Sequence, residues 1–370
     1  MKTIYLLTNN PLTQSGARTD KLGSRIEKLE EMDWKVSKLL INPPFENELL
    51  KLIYVVFKSI VYGIRIKAED KKRTVLWSVS SPDWLHLSGF IIKFLNNNLH
   101  WVLEIRDIFL SIDYETADSQ FLPKIVERFI VKYSNLITIA KGVPKIKDYF
   151  ENNYSCSDKI VELPYSGLNK DDFDSVKPTK FDKYTIVYAG RFYKDWIEPN
   201  IFLEAFSKFV AENDVTPQNI QIKFYCKGWR KEHDKLIERL ELKEYIDIES
   251  YVPRDEIISI MKGADLLLYI HGSNESHIYS KFWDYTGSGT LQLILGYEKF
   301  PTKEIVKKYD LGIIVHPKDV SKIKNALEKL YFGDINIQPK SNEVAAKYTR
   351  ERRDYSFIEE IEEMFEQEND

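Results

Sequence analysis

Cysteine is scarce. The 370 residues include two, Cys156 and Cys226, with no CxxC and no Cys/His ligand spacing. A reduced, cytoplasmic setting is the expectation. Neither sign of charge dominates: 53 basic residues face 57 acidic ones, and a net charge of -4 gives no reason to expect nucleic acid as partner. No uninterrupted apolar run reaches the roughly 20 residues that a spanning helix needs. The opening MKTIYLLTNNP is too short an apolar run for a secretory signal and reads as a first strand. No GxGxxG follows it, which argues against a dinucleotide oxidoreductase. The six histidines, His271 and His277 among them, show no paired ligand spacing.

What is present is an alternation of strand-like and helix-like segments. The first half reads as strands at 3–9, 34–41, 74–80, 99–105, 136–140 and 159–163, with helices at 18–32, 46–66, 83–96, 121–133 and 143–152. Their Val, Ile, Leu and Tyr runs lack clean alternation, as strands buried on both faces of a parallel sheet do. A polar stretch, KDDFDSVKPTKFDK (170–183), reads as a linker. The second half repeats the pattern, with strands at 184–189, 220–226, 246–250, 265–270, 291–296 and 311–315. Its helices fall near 199–212, 231–242, 254–262, 280–286, 302–309 and 319–331, with Pro253 fitting a first helical position. The expectation is an α/β chain of two doubly wound Rossmann-like domains, 1–170 and 184–340, joined by 171–183. A C-terminal helix within 341–370 should dock Tyr355, Phe357, Ile358 and Ile361 on a core.

Between two of those strands lies HIYSKFWDYTGSGTLQLIL (277–295). Ligands of open α/β sheets sit at the carboxyl ends of strands. Ser280 is a credible N-cap, and the free amides near Lys281, Phe282 and Trp283 suit a phosphate. Asp284, one turn later, suits ribose hydroxyls, and Gly287 and Gly289 end the helix. The same residues read equally as a solvated i,i+3 charge pair followed by a cap.

The run SKFWDYTGSGTLQLIL resembles the "SKlfEYlaaGkPvla" motif of retaining glycosyltransferases with the GT-B fold. That resemblance implies two Rossmann-like domains facing a central cleft, with the donor nucleotide on the second. It implies that Asp284, in place of a Glu, holds the donor ribose. A second Glu common in the family meets Ser276 here, beside Glu275. IVYAGRFYKDWIEPNIFLEAF (186–206) is similar to the segment whose Arg and Lys hold the diphosphate. Arg191 matches; the usual lysine positions are Trp196 and Ile197, and Lys194 comes early. Fixed cations of this kind stabilise a departing diphosphate without a metal. YIDIESYVPRDEIISIMKGA (245–264) resembles the base-reading segment, which would place Tyr251, Val252 and Pro253 there. In the first half, SGAR (15–18) resembles the loop near donor phosphate and acceptor, with Gly16, then Arg18 and Arg25. LEIRDIF (103–109) resembles the "iRDlwP" segment of a subgroup that builds cell-surface polysaccharides. Arg106 and Asp107 then either face the cleft or form a structural pair. The implied catalytic set is Arg191, Lys194 and Asp107. The donor set is Gly16, Tyr251, Val252, Pro253, Ser280, Lys281, Phe282 and Asp284, and Arg18 and Arg106 are on the acceptor side. No metal and no cofactor is implied, since the nucleotide-sugar is itself a substrate. The one DxD, Asp172-Phe173-Asp174, lies in the linker and is set aside as a metal site.

In FENELLKLIYVVFKSIVYGIRIK (45–67), Lys51, Lys58 and Arg65 recur every seven residues beside a broad apolar face, and Lys71, Lys72 and Arg73 follow. This is either a core helix whose basic stripe faces water or a helix lying in a membrane interface. The expected activity is sugar transfer from a nucleotide-diphosphate-sugar to a glycan or lipid-linked acceptor, in the cytoplasm and peripheral to the inner face of the cell membrane. The alternatives are a non-catalytic partner that binds nucleotide-sugar or glycan, and a sugar-nucleotide epimerase of the same fold.

Overall fold

A computed structural model describes the chain except residues 1, 10–16, 67–72, 81, 83, 106–123, 142–143, 165–167, 251, 274–277 and 368–370, and the side chains of 17–21, 124–125 and 144–145. It divides into two units, Met1–Ser166 with Arg350–Asp370, and Gly167–Thr349.

The first unit contains β1 (Lys2–Thr8), α1 (Ala17–Glu31), β2 (Trp34–Leu40), α2 (Glu48–Arg65), β3 (Thr74–Val79), α3 (Trp84–Leu95), β4 (His100–Ile105), α4 (Lys124–Tyr133), β5 (Leu136–Ala140), α5 (Pro144–Asn153) and β6 (Ile160–Leu163). Its strands form one parallel sheet in the order β2-β1-β3-β4-β5-β6. TVLWSV of β3 and HWVLEI of β4 are buried at every residue, which is why their side chains do not alternate.

The second unit contains α6 (Asp171–Asp174), β7 (Tyr184–Arg191), α7 (Asn200–Glu212), β8 (Ile220–Lys227), α8 (Lys231–Arg239), β9 (Ile246–Glu249), α9 (Arg254–Gly263), β10 (Leu266–Ile270), α10 (Ser280–Ser288), β11 (Gln292–Leu295), α11 (Lys303–Lys308), β12 (Gly312–Val315), α12 (Val320–Tyr331) and α13 (Ser341–Lys347). Its sheet is also parallel, in the order β12-β11-β10-β7-β8-β9. The strand order reverses between β7 and β10, the switch point at which doubly wound sheets take ligands. Residues 171–183, expected as a linker, carry α6 and pack into this unit. Phe173 is buried and Thr179 pairs with Ser259 at 2.9 Å.

The expected terminal helix is two helices. Beyond α13, α14 (Arg350–Gln367) belongs to the first unit, where it lies on α1. Phe357, Ile358 and Ile361 are buried there, each stabilising by about 1.5–3 kcal/mol. Tyr355 does not join them: it is exposed, and Lys28 lies over its ring at 4.7 Å. A buried charge network fixes the register. Arg25 donates to Glu104 (2.5 Å) and Asp354 (3.0 Å), Trp77 Nε1 donates to Glu104 (2.9 Å), and Arg353 and Ser24 donate to Asp354.

Helix α2 is not the core helix with a wet basic stripe. Val55, Ser59 and Gly63 face the protein, while Leu49, Ile53, Phe57, Ile60 and Ile64 are exposed. Small residues suit the inner face because α2 lies close on α3; a Cβ on Gly63 would come within 3.0 Å of Leu95 Cδ1.

Removing one member of a buried ion network strands its partners. We therefore expect Asp354→Ala to destabilise the first unit by about 3–5 kcal/mol in urea unfolding, whereas Tyr355→Ala stays within about 0.5 kcal/mol.

Candidate functional site

β7 pairs with β8 along its whole length, Tyr184↔Ile220 to Arg191↔Lys227. With β10 it pairs only at Leu266↔Ile186 and Leu267↔Val187. Its carboxyl half therefore parts from β10, and the peptide of Ala189 loses a ladder partner. Tyr285 of α10 supplies one: its hydroxyl accepts from Ala189 N–H at 2.7 Å and donates to Ala189 C=O at 3.2 Å. This fixes α10 beside the end of β7.

Lys281 lies in the first turn of α10. Its ammonium sits 4.8 Å from the ring centroid of Tyr188, 5.3 Å from Tyr269 and 5.6 Å from Tyr279, and it donates to Tyr188 Oη at 3.3 Å. No carboxylate among the described residues pairs with it. Desolvation pushes its pKa down to about 7. Desolvation pushes the Tyr188 and Tyr269 phenols up, so the cage is neutral and offers no counter-charge. The buried Tyr269 hydroxyl has no hydrogen-bond partner among the described residues.

Tyr188 Oη also donates to the carbonyl of Arg191 at 3.0 Å, so one phenol links Lys281 to the end of β7. A Cβ on Gly190 would stand 3.5 Å from Lys281 Cδ. Arg191 is exposed, with its guanidinium 5.8 Å from the Tyr193 ring. Lys194 is exposed on a tight turn closed by reciprocal Tyr193–Ile197 backbone bonds, each 3.0 Å. Glu198 anchors that turn by accepting from Arg230 Nη2 (2.5 and 2.6 Å), Asp195 N–H (2.9 Å) and His233 (2.8 Å). Against desolvation, which would raise it, the contacts from His233 and Arg230 hold the Glu198 carboxyl below its ordinary range.

Asp284 does not pair with Lys281, so the simple i,i+3 surface pair is overturned. Its carboxylate takes Arg254 Nη2 at 3.1 Å, and the same nitrogen reaches Asp172 at 2.9 Å. This one contact among the described residues takes up few of the carboxylate's acceptor sites, and the side chain is about one-quarter exposed. Ser280 is the first helical residue rather than the cap; the cap is Tyr279, with no side-chain cap bond. The Phe282 amide is already engaged by Tyr279 C=O at 3.1 Å and its ring is buried. That leaves the Ser280 and Lys281 amides at the helix mouth. Gly289 ends α10 at φ 80°, in the left-handed region, as a C-cap glycine does. Gly287 is set by packing, since a Cβ there would lie 2.5 Å from Phe173. Pro253 caps α9, and Val252 is half-buried before it. Gly16, Arg106, Asp107, Tyr251, Glu275, Ser276 and His277 lie outside the described residues, as does the Arg18 side chain. Arg25 is structural.

The tyrosine cage and Arg254 were not found in the sequence. Tyr188, Tyr269 and the Tyr279/Tyr285 pair come from three separate segments, so no single spacing announces the cage. Arg254 did carry one: a cation at a helix N-terminus opposes the helix dipole and needs a partner.

The family model described as glycosyl transferases group 1 matches residues 169–352. No curated protein sequence matches the chain. Among solved structures, a glycosyltransferase from Rickettsia africae ESF-5 is 12% identical over 98% of both chains, with a TM-score of 0.68. An α,α-trehalose 6-phosphate synthase from Burkholderia multivorans is 10% identical over 100% of both chains, TM-score 0.66. The apo lipopolysaccharide outer core galactosyltransferase WaaB is 10% identical over 98% of this chain and 99% of its own, TM-score 0.66. At these identities the likeness establishes the fold, two α/β units of the GT-B type.

A lysine whose pKa falls to about 7 in the folded state disfavours folding while the unfolded chain stays charged. The cost is complete below about pH 7 and fades as pH rises toward 10.5, where the unfolded lysine also deprotonates. Lys281→Met should therefore raise the melting temperature of the ligand-free protein at pH 6, by about 2–4 °C for each kcal/mol relieved, and by less at pH 9. Differential scanning calorimetry at both pH values checks the sign.

Proposed function

The chain belongs to the group 1 glycosyltransferases, which transfer sugars from nucleotide-sugar donors, and from that premise we propose that its second unit seats the donor diphosphate at the carboxyl ends of β7 and β10. The observation that carries this is Lys281, an ammonium held among neutral phenols with no described counter-ion. An anion supplies the missing charge. Arg191 adds a second cation from the strand end, Lys194 a third from the turn, and the Ser280 and Lys281 amides close the helix mouth. Asp284 takes the ribose hydroxyls with its remaining lone pairs, and Tyr251, Val252 and Pro253 flank the base.

In the proposed reaction the bond between the anomeric carbon and the diphosphate oxygen breaks. The diphosphate leaves with the electron pair, and an acceptor hydroxyl bonds to the same carbon as its proton passes to the departing phosphate oxygen. Charge collects on the leaving group, so cations fixed in advance lower the barrier without a metal. Asp107 is proposed to complete the catalytic set, with Arg18 and Arg106 on the acceptor side. The resemblance of 280–295 to the motif of retaining enzymes supports reading the transfer as retaining; with no enzyme nucleophile assigned, retention means attack on the face of departure. The acceptor is proposed to be a glycan or a lipid-linked glycan of surface polysaccharide or glycoconjugate synthesis. The 103–109 resemblance supports this, as does the fold likeness to a lipopolysaccharide galactosyltransferase. We place the enzyme in the cytoplasm, peripheral to the inner face of the membrane with 45–67 turned toward it. Among the described residues no helix is long and apolar enough to cross a membrane.

Thermal shift with uridine, guanosine and adenosine diphosphates and their sugars tests the donor site. One of them should stabilise the wild type by about 2.7 kcal/mol at a hundredfold excess over its Kd. Arg191→Ala and Asp284→Ala should each weaken that nucleotide about tenfold or more, a loss of at least about 1.4 kcal/mol. Unchanged affinity in both variants rejects the assignment.

A further inference from the structure

The outer face of the first unit carries more than the 45–67 helix. α2, α3 and α4 lie side by side on one face of the sheet. On α2 the exposed residues Leu49, Ile53, Phe57, Ile60 and Ile64 form one apolar ridge, with Phe57 63% and Ile64 72% exposed. Next to it α3 ends in the exposed Phe94 and Leu95, and α4 adds Phe129, whose ring meets Phe90 at 6.0 Å. An apolar surface of this extent needs an occupant.

Charge indicates which one. α2 has one acid, Glu48, already paired to Lys51 at 2.6 Å. Lys58 lies over Tyr54 and Tyr62 with no described carboxylate, and Arg65 is exposed at the end of the ridge. α3 has no acid, and the one acid of α4, Glu127, is buried. Arg128 and Lys132 of α4 are exposed and open, with Lys159, Asn153 and Ser155, into a cavity of about 720 Å³. Lys159 is steadied by donating to the carbonyls of Lys132 (3.2 Å) and Ser134 (3.1 Å). The face is therefore apolar and basic on a chain whose net charge is -4. A second copy docked on it about a twofold axis would set cation against cation, whereas a bilayer carrying anionic headgroups matches both properties.

We propose that the outer face of α2, α3 and α4 docks on an anionic lipid bilayer, with the apolar ridge at the acyl boundary and a lipid phosphate in the Arg128–Lys132–Lys159 cavity. This deepens the membrane placement proposed above by widening the surface to three helices and naming the lipid class.

Co-sedimentation with phosphatidylcholine vesicles, with and without phosphatidylglycerol, is the test. The wild type should bind phosphatidylglycerol vesicles at least about tenfold more tightly than neutral ones. The variant Ile53→Ser/Phe57→Ser/Ile64→Ser changes exposed side chains only and should lose binding to both. Arg128→Gln/Lys132→Gln should lose the phosphatidylglycerol preference alone. Three results overturn the proposal. One is equal binding to both vesicles. Another is competition by free inorganic phosphate as strong as by lipid. The third is a self-association in sedimentation velocity that the triple serine variant abolishes. Nucleoside diphosphate binding measured on the same samples separates the two readings: vesicle binding without nucleotide binding refutes the donor site and leaves the docking face standing.

Discussion

A strand whose neighbour diverges leaves peptide groups without a ladder, and β7 is such a strand. Beyond Val187 it is paired on one side only. The chain answers with Tyr285, whose hydroxyl serves both the N–H and the C=O of Ala189. That contact holds α10 against the end of β7. It brings Lys281 to Tyr188 and, through the same phenol, to Arg191. The opening and its cationic lining thus have one cause.

The two units treat a desolvated cation in opposite ways. In the first, Arg25 is buried but meets Glu104 and Asp354, and their charges raise its pKa against the lowering effect of desolvation. The charge is neutralised inside the fold and serves to hold α14 in register. In the second, Lys281 meets only phenols among the described residues, and desolvation depresses it to about 7. A fully compensated cation has little left to offer a ligand; an uncompensated one costs stability until a ligand arrives. Strain of that kind collects at functional sites.

Much of this fold was legible in the sequence because parallel strands buried on both faces read as unbroken apolar runs, as TVLWSV and QLIL do. The capping Gly289 was legible too, since a left-handed residue favours glycine. Helix α2 was not. Its heptad of Lys51, Lys58 and Arg65 beside an apolar remainder is the same pattern whether that remainder meets a core or solvent. What decided it was the small inner face of Ser59 and Gly63. Asp284 was recognised by position, but its Arg254 contact depends on a packing no spacing encodes. The tyrosines around Lys281 are brought together from β7, β10 and α10 by the sheet order itself.

The central claim is that a diphosphate completes the charge of Lys281. Isothermal titration of the bound nucleoside diphosphate in buffers of different ionisation enthalpy counts the protons exchanged on binding. The account predicts uptake approaching one proton at pH 8, where the free ammonium has mostly deprotonated, falling toward none at pH 5.5 and absent in Lys281→Met. Binding at pH 8 with no proton uptake, or with the same uptake in Lys281→Met, would contradict it.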